Sequence, residues 1–143
     1  MNRQKLILTL IVGITTRFSA FSQDDILGVW FTQDRNSKVE VYKQDGKYFG
    51  KIVWLKDSLD RKGNAVKDIK NPERALRQRS ILGINILEDL AYRHGQWIGE
   101  LYAPRRGMTL EAEVSLDEEK NELVVSASYG GFGREQIWSR FEP

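Results

Sequence analysis

The amino-acid sequence predicts an all-β protein: a small antiparallel up-and-down β-barrel of about eight strands, with one short helix in a long loop. Two observations favour this fold, namely stretches in which apolar and polar residues alternate and short turn-forming stretches between them. A period of two places successive side chains on opposite faces of a strand. Consecutive strands joined by short turns close most simply as a barrel, because an open sheet exposes its edges.

The clearest alternation runs through residues 108–116. We expect one face of this strand to be buried and the other to be solvated. The apolar face comprises Met108, Leu110, Ala112, Val114 and Leu116, and the polar face comprises Thr109, Glu111, Glu113 and Ser115. Residues 103–107 contain proline and glycine, and residues 117–121 are charged, so both are predicted turns. Residues 97–102 and 123–128 are therefore predicted to pair with this strand on either side.

The other strands are predicted at residues 26–33, 38–44, 47–55, 81–87 and 134–141. The Asp45-Gly46 pair is a strong hairpin signal between two of them. Gly50 and Gly83 indicate a bend or bulge in their strands. Four residues of the strand at 47–55 are expected on one face: Tyr48, Gly50, Ile52 and Trp54.

One long connection, residues 56–79, carries eight basic and four acidic side chains. Asn71-Pro72-Glu73 is typical of a helix start, because asparagine caps free amides, proline fits the first helical position, and glutamate faces the positive end of the helix dipole. A helix is therefore predicted over residues 72–78. Long loops in compact domains are usually lids, binding loops or disordered segments, so this loop is a candidate for function.

Residues 1–22 have the three sections of a secretory signal peptide. Residues 2–5 are basic, residues 6–15 are apolar, and Ala20-Phe21-Ser22 offers small residues before a cleavage site. The alternative is a membrane anchor, but Arg17 interrupts a stretch that is short of the roughly 20 apolar residues needed to span a bilayer. We expect cleavage near Ser22, a single β-barrel domain over residues 23–143, and a periplasmic or secreted protein.

The composition of the predicted mature chain excludes several classes of protein. Residues 1–22 contain three basic and no acidic residues, so the 22 basic and 20 acidic residues of the whole chain become 19 and 20. Nucleic-acid binding needs a basic surplus and is not supported. The chain has no cysteine, so no disulfide and no lipidated cysteine is available. No membrane span is expected after the signal is removed.

The sequence gives little support for an enzyme. The single histidine, His94, precedes Gly95 in a predicted turn, where a solvated role is the usual one. No cysteine nucleophile, Gly-x-Ser-x-Gly elbow or phosphate-binding glycine loop occurs. The acidic residues 117–119 lack the spaced oxygen ligands of a calcium loop. We expect no catalytic residue, no metal site and no cofactor.

Several motifs form an ordered set that covers nearly all of residues 23–143. They are Gly28-Val29-Trp30, Gly50-Lys51-Ile52-Val53-Trp54-Leu55, Asp68, Asn71-Pro72, Leu82-Gly83, Trp97, Gly99, Tyr102, Pro104, Gly107 and Gln136-Ile137-Trp138-Ser139-Arg140. This set resembles the DUF2147 family of exported bacterial proteins. The resemblance implies a small barrel like those of lipocalins or fatty-acid-binding proteins, with a biochemical role that is not established.

Two groups of residues are candidates for ligand binding. The first group consists of aromatic residues on predicted strands: Trp30, Tyr48, Trp54, Trp97, Tyr102 and Trp138. These side chains either fill the barrel or line a cavity for one apolar or amphipathic ligand. The second group, Arg74, Arg77 and Arg79 in the long loop, either binds a ligand carboxylate or phosphate or forms a solvated face.

We therefore predict an exported barrel that binds a small apolar or amphipathic molecule. The alternative is a structural or protein-interaction module of the bacterial envelope, in which the barrel is filled and an exposed edge or loop is the working surface. An enzyme is the third reading. A cavity in the structure would separate the first two.

Overall fold

The computed structural model describes residues 22–143. Eight antiparallel strands form a closed barrel in which neighbours in sequence are neighbours in space. The strands are β1 (Gly28–Phe31), β2 (Ser37–Gln44), β3 (Lys47–Leu55), β4 (Asn85–Arg93), β5 (Gln96–Ala103), β6 (Met108–Asp117), β7 (Glu122–Tyr129) and β8 (Phe132–Arg140). The predicted all-β up-and-down barrel is therefore confirmed. Apart from Ser22, the predicted signal peptide lies outside the described residues.

The two ends of the barrel differ in their connections, because consecutive strands run in opposite directions. One end, the closed end, carries the turns β2–β3, β4–β5 and β6–β7 together with a short 3₁₀-helix at Gln23–Ile26. The other end, the open end, carries the β1–β2, β5–β6 and β7–β8 turns and the long connection between β3 and β4. Within residues 22–143, no helix is long and apolar enough to cross a bilayer.

The strand at residues 108–116 has the predicted orientation. Ala112 and Val114 are fully buried, and Leu110 and Leu116 are partly buried on the same face. Their neighbours Thr109, Glu111 and Glu113 are exposed, and Ser115 is partly exposed. The period-two pattern therefore identified the interior face of β6 correctly.

Trp54 does not share the interior face with Tyr48 and Ile52. Ile52 pairs with Val39 and Trp54 pairs with Lys38, so Val53 is an extra residue that forms a β-bulge. A bulge shifts the alternation by one position. Trp54 consequently lies outside the barrel, 38% exposed, with its ring edge-on to that of Phe31.

The predicted helix over residues 72–78 is reduced to a single 3₁₀ turn at Arg74–Leu76. Asn71 does accept the amide of Glu73 through its side chain, as a capping residue would. Its side-chain nitrogen, however, donates to the buried carboxylate of Asp68, and Arg77 donates to its carbonyl oxygen. These contacts hold the segment to the rest of the loop, and tertiary contacts override local helix signals.

The fourth strand begins later than residue 81 and extends further. Gly83 has a φ of 98°, a conformation that favours glycine, and it turns the chain before β4 begins at Asn85. The amide of Gly83 and the carbonyl of Ile84 both bond to Ile52 of β3. The predicted bend at Gly83 is therefore present, and the regular ladder starts after it.

Two leucines on the interior face allow the packing to be tested. Leu123 is fully buried and Leu110 is partly buried. We expect Leu123→Ala to lower the free energy of unfolding by about 2–5 kcal/mol, and Leu110→Ala to lower it by less than about 2 kcal/mol, because Leu110 already borders open space. Urea denaturation of both variants measures the difference. An equal loss for the two would contradict this description of the interior.

Candidate functional site

The closed end of the barrel is sealed by the N-terminal 3₁₀-helix. The indole nitrogens of two buried tryptophans donate to this helix: Trp30 Nε1 to the carbonyl of Ile26 at 2.9 Å, and Trp97 Nε1 to the carbonyl of Gln23 at 3.1 Å. The hydroxyl of the buried Tyr48 donates to the carboxylate of Asp24. Large aromatic side chains therefore fill this half of the barrel and find their hydrogen-bond partners in the helix that covers it.

Arg140 stabilises the same end of the barrel. Its guanidinium carbon lies 4.1 Å from the centre of the Trp30 ring. Its Nη1 and Nη2 donate to the carbonyls of Leu27 and Asp25 at 2.9 and 2.7 Å. Gly28 has a φ of 126°, and a Cβ there would lie 2.9 Å from Arg140 Nη1. Only glycine therefore leaves both the backbone turn and the arginine in place.

The open half of the barrel contains a cavity of about 450 Å³. Its walls belong to β5, β6, β7 and β8 and carry residues of the interior face. The apolar part of the lining consists of Leu101, Ala103, Met108, Leu110, Val125 and Ala127. The barrel is thus filled at one end and hollow at the other.

Register explains why the cavity forms at this level. Gly99, Ala112, Ala127 and Arg134 are consecutive cross-strand partners on β5 to β8. Three of these four interior positions have small side chains, so little fills the space in front of Arg134. The next row, one step deeper, closes the floor of the cavity and includes three buried residues. It consists of Trp97, Val114, Val125 and Gln136.

The rim of the cavity carries exposed aromatic side chains. Tyr129 and Phe132 pair across the β7–β8 hairpin and are 64% and 85% exposed. The turn between them, Gly130-Gly131, has positive φ at both residues, the geometry of a two-residue hairpin turn. Apolar surface therefore continues from the interior to the solvent at this edge.

The polar groups in the cavity are Arg106, Arg134 and Gln136. The indole Nε1 of Trp138 donates to Gln136 Oε1 at 3.0 Å, so the amide nitrogen of Gln136 is left as a donor. No acidic side chain lines this cavity in the part of the chain that the structure describes. The cavity is therefore lined mainly by apolar side chains, and one part of its wall carries positive charge and hydrogen-bond donors.

The long connection is held to the outside of β5 by a buried carboxylate. Asp68 is fully buried and accepts three hydrogen bonds: from the Tyr102 hydroxyl at 2.6 Å, from Asn71 at 2.8 Å and from Arg79 at 3.0 Å. Burial acts to raise the pKa of Asp68, but the hydrogen bonds outweigh it and hold the pKa below its ordinary value. Burial and the bond to Asp68 raise the pKa of Tyr102 to about 12.

The same connection also packs against the β5–β6 turn. A Cβ at Gly107 would lie 1.9 Å from the carbonyl oxygen of Lys70, so the two backbones are in direct contact. Within the connection, Lys67 pairs with Ser80 as an antiparallel bridge. The long connection is thus a folded loop at the open end, and its own backbone forms an antiparallel bridge.

Comparisons with known proteins agree with this architecture. Residues 28–140 match DUF2147, a family described as an uncharacterized protein conserved in bacteria. The chain belongs to the DUF2147 family. Its structure is similar to that of protein HP1028 from Helicobacter pylori, described as belonging to the lipocalin family, with 27% identity, a TM-score of 0.70, and coverage of 81% of this chain and 82% of that one. No curated protein matches the chain.

In this DUF2147 protein, none of the candidate residues predicted from the sequence is among the residues that line the cavity. Trp30, Tyr48, Trp97 and Trp138 are buried toward the closed end, and Trp54 lies outside the barrel. Tyr102 faces the long loop through its bond to Asp68. A ligand role for these aromatic residues stays a prediction.

The three loop arginines differ from one another. Arg79 pairs with Asp68 and Arg77 donates to the carbonyl of Asn71, so both hold the loop together. Arg74 lies in the exposed 3₁₀ turn. Sequence reasoning missed Arg134 and Gln136, although counting back in steps of two from Trp138 leads to both. A ligand-binding role for Arg74, Arg77 and Arg79 stays a prediction.

The Asp68 network predicts acid sensitivity. Tyr102→Phe removes one donor to a buried carboxylate and keeps the ring, so we expect the free energy of unfolding at neutral pH to fall by about 1.5–3 kcal/mol. In the wild type, the contribution of Asp68 is complete above the unfolded-state pKa and is lost as pH falls through the lower folded-state pKa. With one donor fewer, the folded-state pKa of Asp68 rises toward the unfolded-state value, so the acid-induced loss of stability should be smaller and should be complete at a higher pH.

Urea denaturation across the acidic range measures this shift. Tyr129→Phe is the matched control, because the Tyr129 hydroxyl has no hydrogen-bond partner among residues 22–143. Identical acid sensitivity of the Tyr102→Phe variant and the wild type would mean that Asp68 does not depend on this bond.

Proposed function

We propose that this protein is an exported barrel that binds a small apolar or amphipathic molecule in the open half of its interior. The observation that carries the proposal is the cavity of about 450 Å³. Its volume falls within the range of roughly 300–1,000 Å³ that is typical of small-molecule sites. Its lining is mainly aliphatic with a few polar groups, which is the usual composition of such sites.

Access to this cavity is open on two sides. The rim residues Tyr129 and Phe132 are exposed. In addition, β1 pairs with β8 only at Arg140 and Ser139, so residues 132–136 of β8 have no strand partner on that side in the part of the chain that the structure describes. A ligand can therefore approach from the mouth or past this free edge.

The free edge of β8 also favours the alternative function, a protein-interaction module. An unpaired strand edge presents backbone groups that can pair with an extended segment of another protein. The cavity favours ligand binding instead, because a barrel that served only as a scaffold would gain stability from being filled. The following experiment distinguishes the two.

Binding of N-phenyl-1-naphthylamine, a neutral apolar fluorescent probe, tests the proposal. We expect saturable binding by the protein and loss of binding in Ala127→Trp, because an indole at this position occupies the cavity. Ser128→Trp is the matched control: Ser128 pairs with Glu111 on the outer face, so the added indole points away from the interior. Fluorescence titration measures all three proteins.

A thermal unfolding curve for each variant verifies that it is folded. If the wild type does not bind the probe, or if Ala127→Trp binds it as tightly as the wild type, ligand binding in the interior is ruled out for this class of molecule. The interaction alternative would then gain support.

We propose further that residues 1–22 are removed on export to the periplasm or medium. Cleavage before Gln23 keeps the carbonyl that Trp97 binds and removes Ser22, whose hydroxyl accepts the amide of Asp24. Intact mass measurement of the protein from the periplasmic fraction and the medium should give a chain that begins at Gln23. A full-length chain found only in the cytoplasm would contradict export.

A further inference from the structure

We propose that the molecule bound in the cavity is an amphipathic anion, whose carboxylate, sulfonate or phosphate group contacts Arg134 and Gln136 inside the barrel. This inference rests on the proposed function and adds the chemical class of the ligand. Arg106, at the rim, supplies a second positive charge on the path to the same site.

The charge of the cavity lining is the first observation. Two arginines and no carboxylate are found among the lining residues within residues 22–143. An apolar cavity with low dielectric walls concentrates the field of such charges on whatever enters. Arg106 and Arg134 are both exposed, so a neutral ligand that displaced water from them would leave their charges unpaired, whereas an anion would pair with them.

The second observation is that the side chain of Arg134 has no hydrogen-bond or ion-pair partner in the part of the chain that the structure describes. Arg79 and Arg140, by contrast, both donate to protein oxygen atoms. A guanidinium carries five donors in a planar fork that fits two oxygens of an anion at once. Arg134 keeps this whole set of donors available toward the cavity.

The third observation is the orientation of Gln136, one interior step deeper on β8. Its side-chain oxygen accepts the indole hydrogen of Trp138 at 3.0 Å, and Trp138 is 1% exposed. Because the oxygen is engaged, the amide group presents its nitrogen to the cavity. Gln136 and Arg134 therefore both offer donors, and neither repels an anionic oxygen.

Packing indicates how such a ligand lies in the barrel. The partners of Arg134 at its own level, Gly99, Ala112 and Ala127, are small, so there is room for a head group beside it. Leu101 and Leu110 pair at the next level toward the mouth, where Tyr129 and Phe132 continue the apolar surface. Two residues of strand separate these levels by about 7 Å. The anionic group thus lies inward and the apolar part toward the mouth.

Two fluorescent probes that share one ring system test the inference. N-phenyl-1-naphthylamine is neutral, and 8-anilinonaphthalene-1-sulfonate adds one sulfonate to the same rings. We expect the wild type to bind the sulfonate about 10-fold more tightly than the neutral probe, on the scale of charge-assisted hydrogen bonds. In Arg134→Gln this preference should disappear while affinity for the neutral probe stays the same. Fluorescence titration gives both dissociation constants.

Arg93→Gln is the matched control, because Arg93 is exposed at the end of β4 on the closed end of the barrel. It removes the same charge at a distance and should keep the preference for the sulfonate. Added salt should weaken binding of the sulfonate by the wild type and leave the neutral probe unaffected. Thermal unfolding of each variant verifies its fold.

The outcomes separate this inference from the proposed function. If the neutral probe binds and the wild type shows no preference for the sulfonate, the anion site is wrong and the apolar cavity stands. The anion site is also wrong if Arg74→Gln, in the long loop, abolishes the preference for the sulfonate and Arg134→Gln keeps this preference. If neither probe binds, the proposed function itself fails.

Discussion

The barrel depends on how its first and last strands are joined. β1 and β8 share only two register pairs, Trp30 with Arg140 and Phe31 with Ser139, which is little for the closure of a sheet. Arg140 adds contacts that the ladder lacks, because its guanidinium packs on the Trp30 ring and donates to two carbonyls of the segment before β1. A planar fork with several donors suits this position, and a lysine could not reproduce it. Closure, the N-terminal cap and the aromatic core are therefore one structural unit.

The large side chains belong to this unit at the closed end. Few are left to fill the other half of the barrel, which is therefore hollow. The short β1 ends at Phe31, so residues 132–136 of β8 continue beyond its ladder. At the same levels β5, β6 and β7 contribute Gly99, Ala112 and Ala127, which do not fill the interior. One end is filled and the other is hollow because the bulky residues lie near the same end of each strand. The cavity is therefore at the open end, where the long loop also lies.

The sequence predicted the strands well where the alternation is unbroken, as in β6 and its neighbours. It failed for Trp54, because one extra residue at Val53 reverses the alternation and period-two patterns carry no sign of such a bulge. It overestimated the helix after Asn71, because the local capping signal is strong, whereas Asp68, which Asn71 bonds, is held in place by Tyr102 of strand β5. The cavity was not predictable, since aromatic residues on strands do not reveal at which end they gather. The period-two count from Trp138 places Arg134 on the interior face, but nothing in the sequence indicates that it lines a cavity.

Among residues 22–143, some arginines build the fold, and others, including Arg134, have side chains without a hydrogen-bond or ion-pair partner. Arg140 bonds to backbone carbonyls and Arg79 bonds to the buried carboxylate of Asp68, and removing Arg79 would take one hydrogen bond from a buried charge, which is costly in a low-dielectric interior. Arg134 stabilises no such acceptor and occupies an interior-facing position where an aliphatic residue would pack as well as its neighbours do. The Arg134 residue is solvent-exposed, so its charge is hydrated in the free protein and is available to an anion that enters the cavity. The contacts within the barrel therefore give no structural reason for an arginine at this position, whereas the proposed anionic ligand would give one.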